Sequence, residues 1–224
     1  MHRVLRILST ALITAGLVVL ADVGLTLVWK EPMSTVYGSI QQGKAQDSLA
    51  ALEEDFPSRA DVRALSSVRD LDRRARRLAE LFSSTVEKGQ GIGRIEIPSI
   101  DLDAVFVQGT DPASLQKGPG HYPETAFPGQ GTTVAIAGHR TTYLAPFRRI
   151  DDIEEGDEVT LEMPYGTFTY EVQGHRVVTP DQIEIIRDVG YERLVLTACH
   201  PLYSAAERWA VFARLEEVRL SAPR

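Results

Sequence analysis

The chain has 224 residues, roughly one to two domains' worth, and its 43% hydrophobic and 25% charged side chains make up a folding sequence and not a disordered tail. Its 24 basic and 31 acidic residues leave a net charge of −7, which sets Coulomb repulsion against a polyanion over the whole surface and argues against a nucleic-acid partner. The single cysteine, Cys199, excludes an intramolecular disulfide and any multi-thiolate metal centre.

From Ile7 to Trp29 the chain carries Asp22 as its only charge, and this stretch is long enough to cross about 30 Å of hydrocarbon. Arg3 and Arg6 precede it, whereas Lys30 after it is balanced by Glu31, so the positive-inside bias places the start in the cytoplasm and the rest outside. Residues 1–30 therefore read as a cytoplasmic start and a transmembrane anchor, with 7–29 in the lipid bilayer and the chain a single-pass protein of the cell membrane. A cleaved secretory signal is the alternative; the length of the stretch and the lack of a clear small-x-small cleavage site speak against it. Asp22, costly inside a membrane, stands seven residues from the outer end.

Residues 31–90 are polar, with helical spacing in SLAALEEDF (48–56) and in DVRALSSVRDLDRRARRLAELF (61–82), separated by Pro57. This segment reads as an extracellular helical spacer. Its tract Arg73, Arg74, Arg76 and Arg77 fits a solvated helix face better than a phosphate-binding one. Gly89, Gly91 and Gly93 mark its end.

From about Gly91 the pattern changes to short alternating or apolar runs broken by turns. IGRIEIP, DAVFVQG, GTTVAIAGH, DEVTLEM, GTFTYEVQGHRVV, ERLVLTAC and RWAVFARLEEVRL are the readable strands, and Pro164-Tyr165-Gly166 joins two of them as a hairpin. DPASLQKG (111–118), with Asp111 as N-cap and Pro112 at the first helical position, reads as a short helix, and Leu144 to Ile150 as a further helical turn. Many strands in so short a segment, 91–218, predict a closed barrel or a sandwich, with 219–224 as a tail.

Cys199 ends the apolar strand Leu194 to Ala198 just before His200-Pro201, where proline stops regular pairing. His139 ends another, VAIAG, and Arg208 opens the last strand. A thiol, an imidazole and a guanidinium at strand ends supply a nucleophile, a proton carrier and an oxyanion donor if they converge on one barrel edge.

Ala137-Gly138-His139-Arg140-Thr141-Thr142-Tyr143, Leu196-Thr197-Ala198-Cys199 and Arg208 together resemble the sortases, membrane-anchored cysteine transpeptidases of Gram-positive bacteria. The resemblance covers about residues 91–218. GPGHYPET (118–125), GHRTTYLAPF (138–147) and CHPLYSAAER (199–208) are most similar to the class E type of high-GC actinobacteria. It implies a mainly β fold, an eight-stranded sortase barrel with short helices. It also implies cleavage of a C-terminal sorting signal of the L-P-x-T-G kind, or L-A-x-T-G for class E, between Thr and Gly. The catalytic residues it implies are Cys199, His139 and Arg208. The partners are sorting-signal-bearing exported proteins and, as acceptor, an amine of a peptidoglycan precursor; no cofactor or metal is required.

The chain departs from the family's Thr-Leu-x-Thr-Cys at Val195 and at Ala198, so Ala198 is expected beside the nucleophile at the substrate where a hydroxyl usually stands. His121 and Tyr122 are expected either to line the substrate groove, where Tyr122 would choose alanine over proline, or to cover the barrel end, and Tyr143 to orient His139 or pack on the following turn. Strand alternation points His200 away from Cys199, and His175 has no assigned role. Two alternatives stay open: a catalytically silent barrel that binds exported peptides, for which Ala198 speaks, and a pilin-polymerising sortase, against which the order Asp55-Phe56-Pro57 speaks.

Overall fold

The computed structural model describes residues 2–29, 32–65 and 68–221. Helix α1 (His2–Trp29) contains a stretch, Arg3–Ala21, with mean hydropathy 2.2 and no residue buried, long and apolar enough to cross a membrane. Helices α2 (Pro32–Asp55), α3 (Arg59–Leu65) and α4 (Leu71–Ser83) follow, then strands β1 (Gly91–Ile97) and β2 (Leu102–Gln108), helix α5 (Pro112–Leu115), and strands β3 (Gly120–His121), β4 (Val134–Gly138), β5 (Glu158–Met163), β6 (Gly166–Val178), β7 (Arg193–His200) and β8 (Glu207–Leu220).

The strands close into a barrel in the order β1-β2-β3-β4-β7-β8-β6-β5. All pairs are antiparallel except β2 with β3 and β4 with β7. The expected strands are present, and the eighth, β3, is only two residues long, inside the glycine- and proline-rich stretch GPGHYP. Asp111 caps α5 as expected, accepting from the Ala113 N–H. The helical turn expected at 144–150 falls later, as a 3-10 turn at Ile150–Asp152. Arg219 and Leu220, expected in the tail, belong to β8.

The segment expected as a spacer lies on the barrel. On α4 the buried residues Ala75, Leu78, Ala79 and Phe82 recur at helical spacing, and the Phe82 ring meets Phe56, Phe127 and Tyr165 with centroids 5.2–5.7 Å apart. Helix α2 is held differently. The Val105 N–H donates to Gln42 Oε1 at 2.6 Å and Gln42 Nε2 donates to the Val105 carbonyl at 3.0 Å. Val105 is in register with Arg94 of β1, but on the other side of β2 strand β3 reaches only Val107 and Gln108, so there the Gln42 amide meets the Val105 backbone as a neighbouring strand would. The Gly91 N–H donates to Ser48 Oγ at 2.9 Å, and a side chain at Gly91 would run into the Ala45 backbone.

The barrel interior holds the main core, which takes Val134 and Ile136 from β4, Leu194, Leu196 and Ala198 from β7, and Val211 and Ala213 from β8. A second, smaller cluster covers the outer face of the same three strands: Ala135, Val195 and Ala210 pack with Val178 and Ile185 under Tyr122, Ile186 and Phe212. Strand alternation thus separates two buried layers, and the site stands where the outer one ends.

Candidate active site

Register brings the three chemical groups together. In the parallel pair β4–β7, Gly138 stands opposite Ala198, which brings His139 level with Cys199; in β7–β8, Cys199 stands opposite Arg208. Alternation from the outer-layer residues Ala135, Val195 and Ala210 puts His139, Cys199 and Arg208 on the outer face. All three are half-buried, at one end of that face, and Cys199 is a free thiol.

The chain leaving β4 is folded tightly around His139. The Phe147 N–H donates to the His139 carbonyl at 3.0 Å, and the Phe147 ring lies so close over Gly138 that a Cβ there would come within 2.8 Å of its Cγ. Between them Tyr143, Leu144 and Ala145 take φ of 49°, 66° and 46°, a left-handed run that costs side-chain-bearing residues energy and holds only where packing enforces it. Helix α2 supplies part of that packing: the Tyr37 ring stands 6.2 Å from Tyr143, whose ring stands 5.3 Å from His139. Tyr143 therefore contacts the imidazole and the α2 side together. Burial lowers the His139 pKa from its usual value, because the imidazolium loses hydration.

Arg208 Nη1 donates to the carbonyls of Ala205 and Glu207, both at 2.9 Å. Its Nε and Nη2 bond no described residue, which leaves three planar N–H donors beside Cys199.

Tyr122 is half-buried on the outer layer, and its OH lies 3.0 Å from Thr197 Oγ1. Ala198 is not at this surface. It is 3% exposed and packs inward with Leu194 and Leu196, because one step along a strand reverses the face. The hydroxyl that shares the Cys199 face belongs to Thr197, two residues back; the alternation that turned His200 inward would have found it. His200 lies inward, its ring 5.2 Å from Trp209, and the exposed His175 stacks on the same indole at 4.5 Å. His121 is fully buried rather than lining a groove, with Nδ1 2.9 Å from Gln108 Oε1 and Nε2 donating to the Ala126 carbonyl at 2.9 Å. Desolvation takes its pKa down to about 4.

The Sortase domain family model matches residues 95–216, more than half of the chain, and the chain belongs to the sortase family. Sortase D of Bacillus subtilis is 36% identical over 132 residues, 57% of this chain and 65% of that protein, so the match spans slightly under two thirds of that relative's length. The solved sortase E of Streptomyces avermitilis is 33% identical with a TM-score of 0.55, covering 60% of this chain and 93% of that one. Sortase E1 of Streptomyces coelicolor, solved with a tripeptide in its active site, is 27% identical with a TM-score of 0.57, covering 59% and 91%.

Proposed function

We propose that this chain is a membrane-anchored cysteine transpeptidase that cuts a C-terminal sorting signal of the L-A-x-T-G or L-P-x-T-G type between Thr and Gly and joins the new carboxyl end to an amine of a peptidoglycan precursor. The observation that carries this reading is the register of Cys199 with His139 on one side and Arg208 on the other, on one face of the barrel.

Cys199 passes its proton to His139 and the sulfur attacks the threonine carbonyl. The carbonyl oxygen takes up negative charge against the Nε and Nη2 donors of Arg208, a charge-assisted contact stronger than a neutral hydrogen bond. Collapse breaks the Thr–Gly bond, and the departing glycine amine takes the proton back from His139. Burial makes the imidazolium a stronger acid, which suits this step. The acyl group is then held as a thioester. The acceptor amine attacks it, gives its proton to His139, and the tetrahedral intermediate releases the Cys199 thiolate, which recovers the proton. Tyr122 and Tyr143 border the donor peptide. Helix α1 crosses the bilayer with the barrel outside the cell, within reach of exported proteins.

The detergent-solubilised chain, incubated with L-A-x-T-G and L-P-x-T-G peptides with and without diglycine, tests this reading by mass spectrometry. A thioester on Cys199 and a diglycine-dependent product support it, and the two rates rank the signals. Folded protein with neither adduct nor product overturns it in favour of a silent peptide-binding barrel.

A further inference from the structure

Arg140 follows His139 directly, yet its side chain is 4% exposed and turns to the inner side of the barrel end. Its guanidinium touches two separate segments. Nη2 pairs with Asp151 Oδ1 at 2.6 Å and faces the Arg148 carbonyl at 3.5 Å, both in the segment that leads away from His139. Nη1 faces the Cys199 carbonyl at 3.5 Å and His200 Nδ1 at 3.4 Å, both at the end of β7. A guanidinium only donates, so His200 accepts at Nδ1. The Nε atom is buried and has no hydrogen-bond partner among the described residues.

A buried cation is costly unless paired, and Asp151, the carboxylate that pairs this one among the described residues, belongs to the segment continuing from the base. The planar fork then presents its other nitrogen to the carbonyl of the nucleophile itself. Beyond Gly138 and Ala198 the ladder between β4 and β7 has ended, so no strand pairing fixes His139 against Cys199. The guanidinium occupies that place from below.

We propose that Arg140, oriented by Asp151, is a positioning residue that sets the spacing between His139 and Cys199 from the core side of the barrel end. The inference rests on the transpeptidase reading above. A lysine at this position keeps the charge but has one nitrogen, which cannot reach Asp151 and Cys199 at once in the same plane. Misplacement of reacting groups by about 1 Å costs about 10²-fold in rate.

The experiment compares wild type, Arg140→Lys, Asp151→Asn and Asp151→Glu in detergent, with the fraction of reactive sites counted by a Cys199-directed alkylating label and the fold checked by circular dichroism. Per reactive site, Arg140→Lys and Asp151→Asn are expected to lower kcat 10- to 100-fold with KM within about 2-fold, and Asp151→Glu to recover most of the rate. If kcat per reactive site stays at the wild-type value in both Arg140→Lys and Asp151→Asn, the pair serves folding alone and the proposal is overturned. So it is if KM changes in place of kcat, which makes Arg140 a determinant of binding. Absence of turnover in wild type defeats the transpeptidase reading instead, and that outcome is distinguished by the wild-type arm.

Discussion

On β7, Leu194, Leu196 and Ala198 are buried in the barrel core, whereas Cys199, one peptide further on, stands half-buried on the outer face. The same division occurs at β3, where His121 is fully buried and the next residue, Tyr122, reaches over the outer layer to Thr197. Adjacent residues thus do unlike work. The inner set holds the strand ends in register, and the outer set presents the thiol, the imidazole and the guanidinium there.

That division is broken most severely by a pair of substitutions on one strand. Cys199→Ala should abolish turnover, by about four orders of magnitude or more, while leaving stability within about 0.5 kcal/mol, as for a change outside the core. Leu196→Ala, three residues away on the inner face, should cost about 2–5 kcal/mol of stability through the cavity it leaves. Below its melting point its rate per folded molecule should match wild type. Melting curves and initial rates on the same samples decide this; a Leu196→Ala protein that melts normally but turns over poorly contradicts the division of faces.

His121 extends the comparison to pH. In the fold it titrates at about 4, because burial disfavours the imidazolium, and in the unfolded chain at about 6.5. Between those values the unfolded state binds the extra proton, so stability is full above about pH 6.5 and falls as pH drops. It levels off below about pH 4 after a loss of about 3 kcal/mol. His139, also lowered, acts in the same direction. Melting temperatures between pH 7 and 4.5 should fall less steeply in His121→Gln than in wild type. Equal slopes mean that the buried ring takes up its proton as readily in the fold as in the unfolded chain.

A smaller effect is expected at Ala198, the site where the family's usual threonine is missing. Ala198→Thr adds volume and a hydroxyl to the core face, so it should destabilise by about 1–3 kcal/mol without raising kcat. A clear gain in rate in a protein of normal stability places residue 198 at the reacting atoms.

The convergence of Cys199, His139 and Arg208 was readable in the sequence because each stands at the end of an apolar strand, and the strands because alternation extends over five or more residues in most of them. The remainder lacked such a signal. Strand β3 is too short for a period to show. Helix α4 repeats its apolar residues toward the barrel, but α2 is held by Gln42, by Ser48 and by the buried Ala45 and Leu49, contacts that leave little amphipathic pattern, so only its last turns were visible. Sequence adjacency to Cys199 suggested Ala198 as a substrate contact, whereas a strand places neighbours on opposite sides.

Thr197 provides the finest test of that last point. Valine has nearly the shape of threonine and the same β-branched preference for a strand, so Thr197→Val removes one hydroxyl and leaves the layer packed. What it removes is the partner of the Tyr122 OH, and one such hydrogen bond contributes about 0.5–1.5 kcal/mol. If that bond holds Tyr122 against the donor peptide, kcat/KM should fall about 2- to 12-fold, the same energy expressed as a rate. Partition between hydrolysis and aminolysis should not change, since the acceptor meets the thioester later. Tyr122→Phe deletes the other end of the same bond and should give the same decrease, and the double variant no more than either single one. Additive losses would show that the two hydroxyls act on the substrate separately. An unchanged rate in both single variants would confine the bond to packing, leaving Cys199, His139 and Arg208 as the outer face's whole contribution to the chemistry.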